Sequence, residues 1–119
     1  NAVHPRAGVS PRAAFGHGNF IDARCEIAPE AVLGNHCILH AGVIIGAGTT
    51  LGDFCQVGAG SVINAQVEAE QEVFIGSGVT VVSGVRLGKG CRIGAGSVVI
   101  ADVKAGETVF GNPATPMKA

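Results

Sequence analysis

Four histidines, His4, His17, His36 and His40, are the side chains of this sequence whose charge changes near neutral pH. A histidine poised there serves as a general base, taking a proton from an attacking amine or hydroxyl. His4, Asp22 and His40 recur at equal intervals along the chain. In a structure whose turns match that interval they share one column, and Asp22 then stands beside His40 to orient it or stabilise its charge. His40 is therefore the candidate base and Asp22 its candidate partner. The other reactive side chains are Cys25, Cys37, Cys55 and Cys91, which lack the CxxC spacing of a zinc site.

The elements that must position these residues are visible as a six-residue repeat. Written in sixes from Val3, the chain keeps one register to Lys104, seventeen hexads in all. The first position is Val, Ile or Leu in fifteen of them, Phe15 and Ala69 being the exceptions. The fifth is Ala, Cys, Val, Thr or Ser in sixteen, with Asn19 the exception. Of the 19 glycines, 16 fall at the second or fourth position. One large and one small residue per side fill a narrow coil, and Gly, Asn or Asp at the corners accept positive φ. Three hexads close a triangular turn, the same interval that separates His4, Asp22 and His40, and stacked turns pair as parallel strands. The pattern predicts an all-β parallel β-helix of nearly six triangular coils, roughly 27 Å long at ~4.8 Å per coil. It spans residues 1–104, and 105–119 form a short exit segment.

Composition agrees. With 19 Gly, 5 Phe and no Trp or Tyr in 119 residues, a helix bundle is disfavoured, because so much Gly would weaken every helix and few long apolar side chains remain to fill its core. No run of about 18 apolar residues exists to span a membrane, and a net charge of −1 gives no footprint for nucleic acid. All four cysteines occupy the inward fifth position and read as small core residues. Cys37 and Cys55 lie one coil apart, yet free thiols are the expected state, which favours a reducing, cytoplasmic setting.

The three-hexad period also sorts the outward side chains. The His4, Asp22, His40 column continues through Gly58, Gly76 and Gly94, where a ligand is expected to lie against bare backbone. Apolar residues point outward on two faces, in the columns containing Ile44 and Val62 and containing Phe20, Ile38 and Phe74. They call for a partner, and three triangular prisms suit a homotrimer. Residues 1–72 carry three Arg/Lys against seven Asp/Glu (−4), and residues 73–119 five against two (+3). A basic C-terminal end suits a phosphorylated ligand.

The hexads, the block VFIGSGVTVVSGVRLGKGCRIGAGSVVIADV and the exit GETVFGNPATP resemble the bacterial hexapeptide acyltransferases, most closely the NeuD/PglD-like sugar acetyltransferases. The resemblance covers essentially the whole chain. It implies a left-handed β-helix, a homotrimer with active sites between prisms, acetyl-CoA along the C-terminal coils, and no metal. The Gly111-Asn112-Pro113-Ala114 turn is typical of acetyl-CoA users. Relatives carry an N-terminal domain that binds the nucleotide sugar, and Asn1-Ala2-Val3-His4-Pro5 resembles the junction after one. The family's catalytic histidine falls at Ala47, and a second family histidine falls at Gln56.

The expected activity is acetyl transfer from acetyl-CoA to an amine or hydroxyl of a sugar or nucleotide sugar. His40 acts as base in place of the absent histidine at Ala47, with His36 the alternative replacement. Gly76, Ser77, Gly94 and Ala95 line the pantetheine track, Gln56 and Gly58 complete the cofactor site, and Lys89, Arg92 and Lys118 meet the phosphates. Two rivals remain. A non-catalytic trimerising scaffold accounts for Ala47. A zinc enzyme of the γ-carbonic anhydrase type would use His4 and His40, but Ile45 stands where its third ligand is expected.

Overall fold

In a computed structural model, described over residues 1–117, the chain winds as a parallel β-helix with no helical segment among the described residues. Two-residue strands, with two longer ones at the exit, stack into three sheets of eight, six and five strands. The first sheet carries the outward column Phe20, Ile38, Gln56, Phe74, Arg92. The second carries Gly8, Glu26, Ile44, Val62, Thr80, Val98. The third carries Ala14, Val32, Thr50, Glu68, Arg86. Every one of these pairs is three hexads apart, so the triangular period holds.

First-position residues such as Ile21, Leu39, Ile45, Ile63 and Ile75 are completely buried. The fifth position does more than save space. Asn19, Cys25, Cys37, Thr49, Cys55 and Ser61 each donate to a carbonyl of the next coil, at 2.7–3.2 Å, always 15 residues ahead. These are second-position carbonyls at the corners, where the backbone turns out of the regular ladder. Apart from Gly34 O, which also accepts from Gly16 N, the small inward donor satisfies a group with no other partner among the described residues. Cys25, Cys37 and Cys55 are thus hydrogen-bonding core residues, and all four cysteines are free. Burial pushes the Cys25 thiol up and the Cys91 thiol up to about 11. Contact with Cys37, together with burial, raises that of Cys55.

The corner glycines split into two kinds. Fourth-position glycines such as Gly42, Gly60, Gly78 and Gly96 have φ of 66–74°, as expected. Arg24, Glu30, His36, Phe54, Gln66 and Glu72 hold the same left-handed conformation without being glycine. Second-position glycines are there for closeness instead. A Cβ on Gly76 would come within 2.8 Å of Ala95 N, and one on Gly94 within 2.6 Å of the Phe110 ring.

The fold departs from the sequence pattern in two respects. The register does not run to Lys104. Val103 pairs with Leu87, and Thr108 and Val109 pair with Arg92 and Ile93, two positions short of three hexads in each case. The corner at 100–102 is shortened accordingly, with Arg86 N donating to Asp102 Oδ1 at 2.9 Å and Val103 N to Arg86 O at 2.9 Å. Sixteen full hexads precede this slip, and the coil then continues past Lys104 into the exit. The body is also longer than the stacked coils alone predict, with a longest extent of 41 Å. An antiparallel hairpin of Thr108–Gly111 and Ala114–Pro116 adds two strands to the first sheet. The turn of this hairpin is the GNPA segment, and Gly111 N donates to buried Ser97 Oγ at 3.1 Å.

Candidate functional site

The corner between the first and second sheets gathers the histidine column. His40 is half-buried there. Its backbone is fixed on both sides: His40 N donates to Val57 O at 3.0 Å, and Cys25 Sγ donates to His40 O at 3.1 Å. The imidazole meets Gln56 on the first sheet, with 3.1 Å between His40 Nε2 and Gln56 Nε2. An amide nitrogen can only donate, so this contact matches an imidazole that carries its proton on Nδ1 and accepts at Nε2. Two candidates read separately from the sequence thus form one pair.

Asp22 does not join them. Its Oδ1 accepts from Ala23 N at 2.7 Å, closing its own turn, and no hydrogen bond links it to His40. His4 likewise serves its own turn, Nδ1 accepting from Arg6 N at 3.0 Å. His36 lies at the corner between the third and first sheets, stacked on Phe54 with centroids 5.2 Å apart, and does not approach His40. His17 is exposed at that same corner. Ala47 is exposed at the opposite end of the Ile44–Ile45 strand from His40. Among the described residues, no three His, Cys, Asp or Glu side chains gather as a metal would require.

Above His40 the corner becomes smooth: Ala59-Gly60, Ser77-Gly78 and Ala95-Gly96 are all exposed. Gly58 and Gly76 are buried, and Phe110 covers Gly94. Those three close the gap between coils rather than offering a surface to a ligand. What the corner does offer are the backbone N–H groups of Ala41, Ala59, Ser77 and Ala95, which find no acceptor among the described residues. The corner between the second and third sheets repeats this with Ala47, Ala65 and Ser83. The third corner differs, because side chains occupy three of its five amides, Asp53 N and Gln71 N alone finding no acceptor among the described residues. His17 N and Asn35 N donate to Asn35 Oδ1 and Asp53 Oδ1, and Lys89 N to Glu70 Oε2. The second amide column went unseen in the sequence. Its signal is small residues at the third position of two of the three corners.

Of the basic candidates, Arg92 projects from the first sheet with its guanidinium 4.7 Å from the Phe74 ring centroid. Lys89 is exposed at the third-to-first corner, apart from the histidine column. Lys118 lies outside the described residues. Phe20, Ile38, Ile44 and Phe54 remain between 37 % and 59 % exposed, so the outward apolar columns have no cover within one chain.

A coil with this repeat, small-residue corners and unpaired amides defines a solenoid of the hexapeptide-transferase class. The bacterial transferase hexapeptide pattern of six repeats matches residues 32–65 and 70–101. The chain belongs to that family, and its β-helix is left-handed. A comparison with curated proteins gives no match. Among solved structures it is similar to PerB from Caulobacter crescentus in complex with CoA and GDP-perosamine, with 30 % identity and a TM-score of 0.96 over 98 % of this chain and 56 % of that one. It is equally similar to the acetyltransferase domain of PglB from Neisseria gonorrhoeae in complex with acetyl coenzyme A, with 30 % identity and a TM-score of 0.95 over 97 % and 56 %. AntD, an N-acyltransferase from Bacillus cereus, shares the fold at 17 % identity and a TM-score of 0.92, over 98 % of this chain and 79 % of AntD. The chain spans 56 % of the length of PerB and of the PglB chain.

Proposed function

We propose that the chain is the transferase portion of an acetyl-CoA-dependent sugar acetyltransferase, acting as a homotrimer on an amine or hydroxyl of a nucleotide sugar. The observation that carries this reading is the column of unpaired amides on small, exposed residues directly above His40. The pantetheine arm of CoA carries amide carbonyls along its length, and a smooth edge with free N–H donors suits it. Family membership and the CoA-bound relatives point the same way. In a trimer, a first-to-second corner and a neighbour's second-to-third corner together supply both amide columns. The uncovered apolar columns give the trimer its driving force, and the free thiols suit the cytoplasm.

In the reaction, the acceptor nitrogen or oxygen attacks the thioester carbonyl, and a free corner N–H stabilises the oxyanion. His40 takes the proton at Nε2 once the acceptor displaces the Gln56 amide. The C–S bond then breaks, and the CoA thiolate recovers the proton from His40. Exposed Lys89 and Arg92 attract the phosphates.

Calorimetric titration with acetyl-CoA tests the reading, followed by acetyl transfer to a nucleotide-linked sugar in the full-length protein. Binding of acetyl-CoA and loss of turnover in His40→Ala are expected. Failure to bind CoA at all supports the scaffold alternative.

A further inference from the structure

Between the third and first sheets, the inward fifth position of successive coils runs Asn19, Cys37, Cys55, Val73, Cys91. Cys37 and Cys55 are thus stacked neighbours, 0 % and 1 % exposed. Val73 separates Cys91 from them, and Cys25 stands in another column between Ala7 and Val43. The strands that follow the pair are locked in register. Ile38 N donates to Cys55 O at 2.9 Å, and Ile38 and Leu39 lie beside Gln56 and Val57. Parallel strands stack at ~4.8 Å, a spacing within the roughly 4.4–6.8 Å that separates the Cα atoms of a disulfide.

Each thiol has a single hydrogen, which Cys37 gives to Gly52 O at 3.2 Å and Cys55 to Glu70 O at 3.1 Å. A sulfur also accepts, and a hydrogen bond from Cys55 to Cys37 holds the Cys37 thiol down while it raises that of Cys55. The Cys55 proton therefore has two resting places, and turning it toward Cys37 makes that sulfur the thiolate of the pair. A thiolate with a neutral thiol one coil away is poised for stepwise oxidation.

We propose that Cys37 and Cys55 form a reversible cross-link between neighbouring coils, closed by a peroxide and opened by a thiol reductant, that controls how Gln56 meets His40. The Cys37 thiolate attacks one peroxide oxygen, the O–O bond breaks, and the hydroxide released recovers the proton that Cys37 gave up. Cys55 sulfur then attacks the sulfenic sulfur of Cys37, the S–O bond breaks, and the hydroxide leaves with the Cys55 proton as water. Two thiols lose two hydrogens, and one peroxide becomes two waters. Disulfide Cβ atoms sit about 3.8 Å apart, nearer than the ~4.8 Å between coils, so closure draws Cys55 toward Cys37 and away from Glu70 O. Gln56 is the next residue, and its 3.1 Å contact with His40 leaves little slack for that movement. The cross-link stands on its own geometry, and its effect on acetyl transfer rests on the transferase reading.

Hydrogen peroxide added to the reduced full chain, then alkylation after unfolding and fragmentation mass spectrometry, tests the cross-link. A Cys37–Cys55 disulfide within one chain is expected, reversed by dithiothreitol, with Cys25 and Cys91 recovered as alkylated thiols. Cys55→Ser keeps a small inward donor and is expected to fold but to form no disulfide. Long-range ¹H–¹⁵N spectra of His40 are expected to change when wild type is oxidised and to stay as they were in Cys55→Ser. Acetyl transfer should be lost on oxidation and return on reduction. Four free thiols after peroxide, or sulfinic acid without a disulfide, overturns the proposal. A disulfide that leaves the His40 spectra unchanged overturns its hold on the site. A disulfide that changes those spectra in a chain that binds no acetyl-CoA sustains the proposal and counts against the transferase reading instead.

Discussion

Gln56 Nε2 and His40 Nε2 stand 3.1 Å apart, joining the first sheet to the corner that follows the strand below it. With the amide as donor, the contact matches the tautomer of His40 that carries its proton on Nδ1. Gln56→Ala is expected to shift the imidazole toward the Nε2–H tautomer, read in long-range ¹H–¹⁵N spectra. Gln56→Glu replaces the donor amide by an acceptor and is expected to hold a proton on Nε2 instead. In a transfer assay His40→Ala should lower turnover by about 10²–10⁴ with acetyl-CoA affinity unchanged. A tautomer indifferent to Gln56→Ala would show that the contact does not govern the ring.

The inward donors carry stability that a pattern of small residues does not reveal. Ser61 Oγ donates to Gly76 O at 2.8 Å and accepts from Val79 N at 3.1 Å, fully buried. Ser61→Ala leaves both backbone groups short of a partner and should destabilise by about 1–3 kcal/mol, measured by chemical denaturation. Cys25→Ala frees the His40 carbonyl in the same way. It is expected to combine a smaller loss of stability with broadening of the His40 resonances.

Alkaline pH provides a separate test through Cys91. Its thiol stands at about 11 in the fold against an ordinary 9.0, raised first by burial and then by Glu107. A raised pKa means that the folded state holds the proton more tightly. The associated stability is complete below about pH 9 and falls away as pH rises toward 11. The loss is on the order of 2–3 kcal/mol. Cys91→Ala should show a correspondingly shallower fall over that window, with Cys25 and Cys55 responsible for what persists. Identical alkaline transitions in variant and wild type would contradict this.

How much was legible in the sequence depended on whether one residue type answered one physical demand. Ile, Leu and Val at the first position answer only burial, so sheets and columns came out in register. Valine, however, suits both the first and fifth positions. At Val99 to Val103 the hexad pattern therefore survives a shortening of the corner that only the pairing of Val103 with Leu87 exposes. Glycine answers two demands, positive φ at the fourth position and close approach at the second, so in sequence the Gly58, Gly76, Gly94 column is indistinguishable from a ligand surface. His40 and Gln56 lie 16 residues apart, off any three-hexad column. Their meeting depends on a side chain reaching across a corner, which periodicity does not encode.

The two kinds of corner glycine can be separated within one turn. Gly76→Ala places a methyl group 2.8 Å from Ala95 N and 3.0 Å from Ala95 Cα, both backbone atoms of the next coil that cannot swing away. Separating the coils should cost about 1–3 kcal/mol, as overpacking does in a close-packed core. Gly78→Ala meets nothing within 4 Å but keeps φ at 66°, a conformation that costs an L-residue roughly 1–2 kcal/mol. The reverse change, Glu72→Gly at φ 61°, should therefore stabilise the chain by up to about 1 kcal/mol after allowing for the added freedom of the unfolded chain. Gly94→Ala meets the Phe110 ring, which swings outward more easily than backbone, so its effect should centre on the exit hairpin. Hydrogen exchange resolves the three cases. Gly76→Ala should speed exchange at the neighbouring coils, Gly94→Ala at the amides of 108–111, and Gly78→Ala uniformly, through lower global stability. If Gly76→Ala proves milder than Gly78→Ala, coil contact is not what holds glycine at the second position.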